Sequence, residues 1–281
     1  GDKVMIQPPV YHPFAWVTTR NERTLVINPL RWENGMYRMD LDAFREQIKG
    51  CKLFILCNPH NPGGVVWTEA ELRAIADICY DEKVLVFSDE IHADLTLPPH
   101  THRPFATVSE KARMNSVTFM SPSKAFNMPG LSASHALIFN EDLRKRFRIY
   151  MDAGELDMGH VFAFLSVEAA YSHGTEWLDQ CLAYIQGNID FVDEFLKKHA
   201  PKIKAIRPEA SYLVWLDCRE LELSQKDLNE FFVDKAHLAL NDGEMFGKEG
   251  IGFMRLNVAS PRCIIEKAMK QLADAYQLYI K

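Results

Sequence analysis

No apolar stretch in this 281-residue sequence approaches the ~18 residues that a helix needs to cross a bilayer. There is no excess of positive charge either. The 32 lysines and arginines are outnumbered by 38 aspartates and glutamates, and a net charge of −6 disfavours nucleic acid or an anionic membrane as partner. No CxxC pair occurs. The six cysteines (Cys51, Cys57, Cys79, Cys181, Cys218, Cys263) are scattered, whereas disulfide frameworks belong to short secreted chains, so they read as reduced, mostly buried thiols of a cytoplasmic protein rather than metal ligands. Repeats, low-complexity segments and a secretory leader pattern are also missing. What is present, 47% hydrophobic and 25% charged residues, is enough for a sizeable globular core.

Apolar runs of strand length recur through the first half: "VMIQPP", "TLVINP", "KLFILCN", "VLVFSDE", "SVTFMS" and "SHALIF". Helix-period segments such as "LDAFREQIKG" and "TEAELRAIADICYDEK" separate several of them, and Thr68 followed by Glu71 is a capping-box signature opening the second. Strands that are apolar throughout, alternating with helices, predict a mostly parallel sheet covered on both faces. The pattern then changes. Residues 160 to 199 read as long and helical up to Pro201. After them come a strand "SYLVWLDC", a helix "SQKDLNEFFVDKA", a strand "GFMRLNVA" and a terminal helix from 261, the makings of a smaller α+β domain.

Ligands of such sheets bind outside the carboxyl ends of the strands, so the residues that follow each strand matter most. The first strand is followed by "PPVYHPF" with Tyr11, and "KLFILC" by "NPHNPGG" with Asn61. "VLVFS" leads into Asp89 and His92, and "SVTFM" into Ser121, Ser123 and Lys124. Each has an ordinary structural explanation: turn loop, helix cap, packing aromatic, surface lysine. Lys124 is the odd one, because an ammonium next to a buried strand is costly unless it is paired or loses its charge. Polar groups from four strand ends would share one rim.

Taken together, "NPHNPGG", "SDEIH", "SPSKAFNMPGL" and "GFMRLNVA", in this order and spacing, resemble the fold-type I pyridoxal-phosphate (PLP) enzymes of the aspartate aminotransferase superfamily. The run "GEMFGKEGIGFMRLN" and the motifs "SDEIHADL" and "SKAFNMPGL" look most like its cystathionine β-lyase, or C–S lyase, subgroup. The resemblance implies a three-layer α/β/α large domain over residues 1–158, connecting long helices over 159–200 and a small α+β domain over 201–281. It also implies roles. Lys124 would bond the cofactor aldehyde and later take the substrate Cα proton. Asp89 would keep the cofactor ring nitrogen protonated, Asn61 would bond the ring oxygen, and Tyr11 would stack on the ring. His92 stands where many aminotransferases carry a tyrosine. Ser121 and Ser123 would donate to the phosphate, while Ser132 replaces an arginine that many aminotransferases use there. Arg255 would clamp the substrate α-carboxylate.

The implied activity is cleavage of L-cystathionine or S-substituted cysteines to pyruvate, ammonia and a thiol, by a homodimer acting on a small amino acid. The alternatives are a class I/II aminotransferase using a 2-oxo acid, and a cofactor-free binding module on the same scaffold. The family carries a further stretch before "GDKV" that supplies a first strand and part of the phosphate cup. The resemblance therefore implies an incomplete N-terminal part, with "SHALIF" left at a sheet edge.

Overall fold

The computed structural model describes residues 1–156 and 158–279. The chain begins β1 (Lys3–Ile6), α1 (Pro13–Arg20), β2 (Thr24–Ile27), β3 (Arg31–Glu33), β4 (Met36–Arg38), α2 (Leu41–Gln47) and β5 (Cys51–Cys57). It continues α3 (Glu69–Asp81), β6 (Leu85–Asp89), α4 (Glu110–Met114), β7 (Ser116–Met120), β8 (His135–Leu137) and α5 (Glu141–Ala153). Then come α6 (Val161–His173), α7 (Thr175–His199), β9 (Lys204–Ile206), β10 (Leu213–Asp217), α8 (Gln225–Glu230), β11 (Asn241–Asp242), β12 (Phe253–Asn257) and α9 (Arg262–Tyr279).

The large sheet has the order β2-β1-β5-β6-β7-β8, parallel except for β8. It matches the expected mostly parallel architecture, and β8 is an edge strand as expected for "SHALIF". Its strands are apolar because both faces are covered. On one side Phe54, Leu56 and Val86 pack with Phe44, Leu72, Ile75 and Phe105. On the other, Val4, Ile6 and Ile55 meet Phe14 of α1, and Phe119 meets Phe147 of α5. The capping box is present: Thr68 Oγ1 accepts from the Glu71 N–H (3.2 Å) and Glu71 Oε2 from the Thr68 N–H (2.8 Å). Such caps contribute about 1 kcal/mol.

The second sheet is antiparallel, order β11-β12-β10-β9. Val214, Leu216, Met254 and Leu256 from it form a core with Ile189 and Val192 of α7 and Met269 and Leu272 of α9. Two helical stretches have breaks that the sequence pattern did not locate. Residues 160–199 are two helices, broken where Gly174 ends α6 and precedes α7. "SQKDLNEFFVDKA" is the short α8 followed by a π-helical turn, Phe231–Lys235.

Parallel register brings the strand ends level: Cys57 pairs with Asp89, and Asp89 with Phe119. The loops beyond them are stitched to the second sheet's connections. Gly64 O accepts from the Glu209 and Ala210 N–H groups (2.8 and 3.1 Å), and Val10 N–H donates to Phe246 O (2.8 Å). Tyr37 donates to Glu249 O (3.2 Å) and accepts from Trp215 Nε1–H (3.2 Å).

Candidate active site

One cleft of about 370 Å³ is lined by Tyr11, Asn61, Asp89, His92, Ser123, Lys124 and Arg255. Seven of the eight residues singled out from sequence therefore share it. The eighth, Ser121, lies behind the wall: its hydroxyl donates to the Ala133 carbonyl, and its oxygen accepts from the Ser123 N–H (3.0 Å). Ser121 thus holds the loop that carries Lys124 rather than facing the cleft. Ser132 lies exposed on the same loop region and adds no charge.

Asp89 ends β6 at the bottom of the cleft. Its carboxylate accepts from the Ile91 N–H (3.2 Å) and has no ion-pair partner among the described residues. Burial pushes its pKa up to about 6, with Glu90 adding repulsion, while the Ile91 N–H and the Lys124 charge oppose the rise. His92, buried nearby, is driven down to about 3 by burial and by the charges of Lys124 and Arg255. It is therefore neutral, and its Nδ1 has no partner.

Arg255 comes from β12 of the second sheet. Nη1 donates to Asn61 Oδ1 and Nη2 to Asn241 Oδ1, both at 2.8 Å, with the guanidinium 4.6 Å from the Phe246 ring centroid. Burial lowers its pKa against the opposing influence of Tyr11 and Tyr212, and Nε is buried without a partner. Tyr11 is 38% exposed at the rim, edge-on to Phe14.

Cys57, Ile91, Pro129, Tyr212, Leu213 and Asn257 also line the cleft and were not singled out from sequence. Asn257 sits inside the quoted run "GFMRLNVA", so a signal existed. Tyr212 reads as one more residue of an alternating strand, and nothing local marks it. A second cavity of about 300 Å³ continues past Lys124 toward Trp177 and Tyr184 of α7.

A mostly parallel sheet whose rim carries a lysine and an aspartate, faced by an arginine from an antiparallel sheet, is the layout of the fold-type I PLP family. Comparison with known proteins agrees. Cystathionine beta-lyase PatB of Bacillus subtilis is 38% identical over 277 residues, which cover 98% of this chain and 72% of that protein. The crystal structure of cystalysin from Treponema denticola, which contains a pyridoxal 5'-phosphate cofactor, superposes with a TM-score of 0.96 at 35% identity, covering 99% of this chain and 71% of that one. The PLP-bound C–S lyase of Staphylococcus hominis gives 0.89 at 33% identity, over 98% of this chain and 70% of that one. The chain belongs to the class I and II aminotransferase family, matched over residues 1–272.

The raised Asp89 pKa makes a stability prediction. The folded state binds this proton more tightly than the unfolded chain, so ionisation destabilises the fold as pH rises through about 4 to 6. In protein prepared without cofactor, Asp89→Asn should raise the unfolding free energy at pH 8 by about 2–3 kcal/mol, and by nothing at pH 3.5. Urea denaturation at the two pH values reads this directly, and a net loss at pH 8 would contradict it.

Proposed function

We propose that the chain is a PLP-dependent lyase that breaks the Cβ–S bond of L-cystathionine or related S-substituted cysteines, giving pyruvate, ammonia and a thiol. The observation that carries this reading is the meeting in one cleft of an amine, a buried carboxylate and a guanidinium drawn from two sheets. Similarity to C–S lyases over nearly the whole chain supports the choice of bond.

The residues fit the cofactor. Asp89, raised by burial and lacking an ion pair, would be matched by a protonated ring nitrogen. Tyr11 would cover the ring, and Asn61 would reach its oxygen with the neutral His92 close by. Ser123, held by Ser121, would meet the phosphate, and Lys124 would bond the aldehyde. When bound, the group supplies an electron sink conjugated to the substrate Cα.

Arg255, which lines the cleft, would hold the substrate carboxylate in its fork. That contact fixes the orientation of the Cα–H bond relative to Lys124. The Lys124 amine, which lines the cleft, would take the Cα proton, and the β-thiolate would leave with the Cβ–S bonding electrons. Residues 1–158, 159–200 and 201–281 would act as large domain, connector and small domain.

We also read the enzyme as a homodimer. α6 carries apolar residues all round, yet only Ala163 is buried, with Phe162 68% exposed beside Val161, Phe164 and Leu165. Helices of that composition are ordinarily covered.

Lys124→Ala should abolish pyruvate release from cystathionine, measured without added 2-oxo acid, while the far-UV spectrum stays unchanged. Full turnover in the variant would sink the assignment, and a strict requirement for a 2-oxo acid in the wild type would favour an aminotransferase. Arg255→Ala should raise KM for the amino acid by two orders of magnitude or more, since breaking a partly buried charged contact costs about 3–5 kcal/mol, with cofactor absorbance retained. Loss of absorbance with unchanged KM would reassign the arginine. Sedimentation equilibrium should return twice the monomer mass, shifted toward monomer by Phe162→Asp; a monomeric wild type would exclude the dimer.

A further inference from the structure

His60 is 3% exposed and appears in none of the roles above. Its Nε2 lies 2.8 Å from the Pro9 carbonyl oxygen. A carbonyl only accepts, so Nε2 carries the proton. Burial holds the ring neutral, with its pKa down at about 4, and Nδ1 is buried without a partner. The ring is wedged between Tyr37 (6.0 Å between centroids) and Trp67 (5.6 Å). It fits because residue 63 is glycine: a Cβ there would lie 2.8 Å from Tyr37 and 2.9 Å from His60 Nδ1.

Three loops meet through this ring. Its own loop continues into Asn61, which holds Arg255 Nη1. Pro9 lies two residues before Tyr11, and the intervening Val10 N–H donates to Phe246 O. Phe246 lies against the Arg255 guanidinium. The Tyr37 hydroxyl, on the ring's other side, bonds Glu249 O in the same segment as Phe246. Without the imidazole donor, the loop carrying Tyr11 and the loop carrying Asn61 share no side-chain hydrogen bond at this point.

We infer that His60 is a positioning residue, whose Nε2–H bond to Pro9 sets Tyr11 and the Asn61–Arg255 pair in register around the substrate carboxylate. The inference rests on the proposed role of Arg255, but its physical core does not need the lyase reaction.

The test compares His60→Phe, which fills the space without a donor, with His60→Gln, whose amide can donate to Pro9. In the PLP-loaded enzyme, His60→Phe should raise KM for cystathionine about tenfold, the scale of one lost hydrogen bond, with kcat within about threefold. His60→Gln should recover most of the loss. Amide hydrogen exchange at Val10, Tyr11 and His12 should accelerate in His60→Phe and return toward wild type in His60→Gln. Equal KM and exchange in wild type and His60→Phe would overturn the inference, as would equal damage from both variants. If the wild type shows no lyase turnover, the reaction reading fails while the exchange rates still decide the role of His60. Should His60→Phe not fold, the 15N spectrum of the wild-type imidazole decides: an Nε2–H tautomer supports the bond, and an Nδ1–H tautomer overturns it.

Discussion

The 2.8 Å bond between Arg255 and Asn61 joins the two sheets at the point where the cleft lies. A guanidinium carried by β12 would be costly to bury alone, and its partners are not acids. Asn61 and Asn241 offer neutral amide oxygens, and the Phe246 ring offers its face. A carboxylate partner would have held the arginine more firmly and cancelled its charge. Amides orient it and leave the charge available. Asn241 can do this because it pairs directly with Arg255 across β11 and β12. Asn61 can do it because its loop is fixed from below by parallel pairing of β5 with β6.

The same contrast appears between two adjacent acids. Glu90 is 1% exposed and well partnered, accepting from Ser88 Oγ (2.8 Å), Phe105 N–H (2.8 Å) and sitting 2.7 Å from His102 Nε2. It anchors the chain that runs back over the sheet. Asp89, one residue earlier and on the opposite side of the strand, accepts from a single N–H within its own turn. A one-residue step along a β-strand reverses side-chain direction, so two neighbouring carboxylates take opposite parts. One is satisfied internally. The other is left under-satisfied, as are two buried atoms of other cleft-lining residues, His92 Nδ1 and Arg255 Nε. Under-satisfied groups lower stability, and the cleft holds these two beside Asp89.

The parallel strands, the capping box and the cleft residues at strand ends were legible because each has a short-range signal: apolar runs, a Thr–Glu spacing, polar residues after a strand. α5 was not, because "EDLRKRFRIYMDA" is dominated by charge and its sheet-facing side, Leu143 and Phe147, is only half-buried. α1 escaped for want of a side-chain cap, its start being marked only by Pro13. The β3–β4 hairpin has three residues per strand, too few for alternation to be read. Ser121 is buried and bonded within its own loop while Ser123 lines the cleft, a difference that nothing in "SPSK" signals. Tyr212 was missed for a related reason: its place in the cleft depends on how one sheet is set against the other, a long-range relation that no local spacing encodes.

An ammonium at the end of a buried strand therefore has a structural answer as well as a chemical one. Lys124 lies between two cavities, and no salt bridge among the described residues holds its amine. Its loop has to be fixed by other means. Ser121 closes the loop from inside, while Phe126 anchors it from outside by stacking on Trp177 of α7 (centroids 6.0 Å apart, planes at 25°) and meeting Tyr171 of α6 edge-on. The anchor needs the break between the two helices. Gly174 sits there, and any Cβ on it would collide with the Phe126 ring. The interruption between α6 and α7 is thus part of how the lysine is placed: a gap between helices receives the aromatic, and the aromatic steadies the loop that carries the amine.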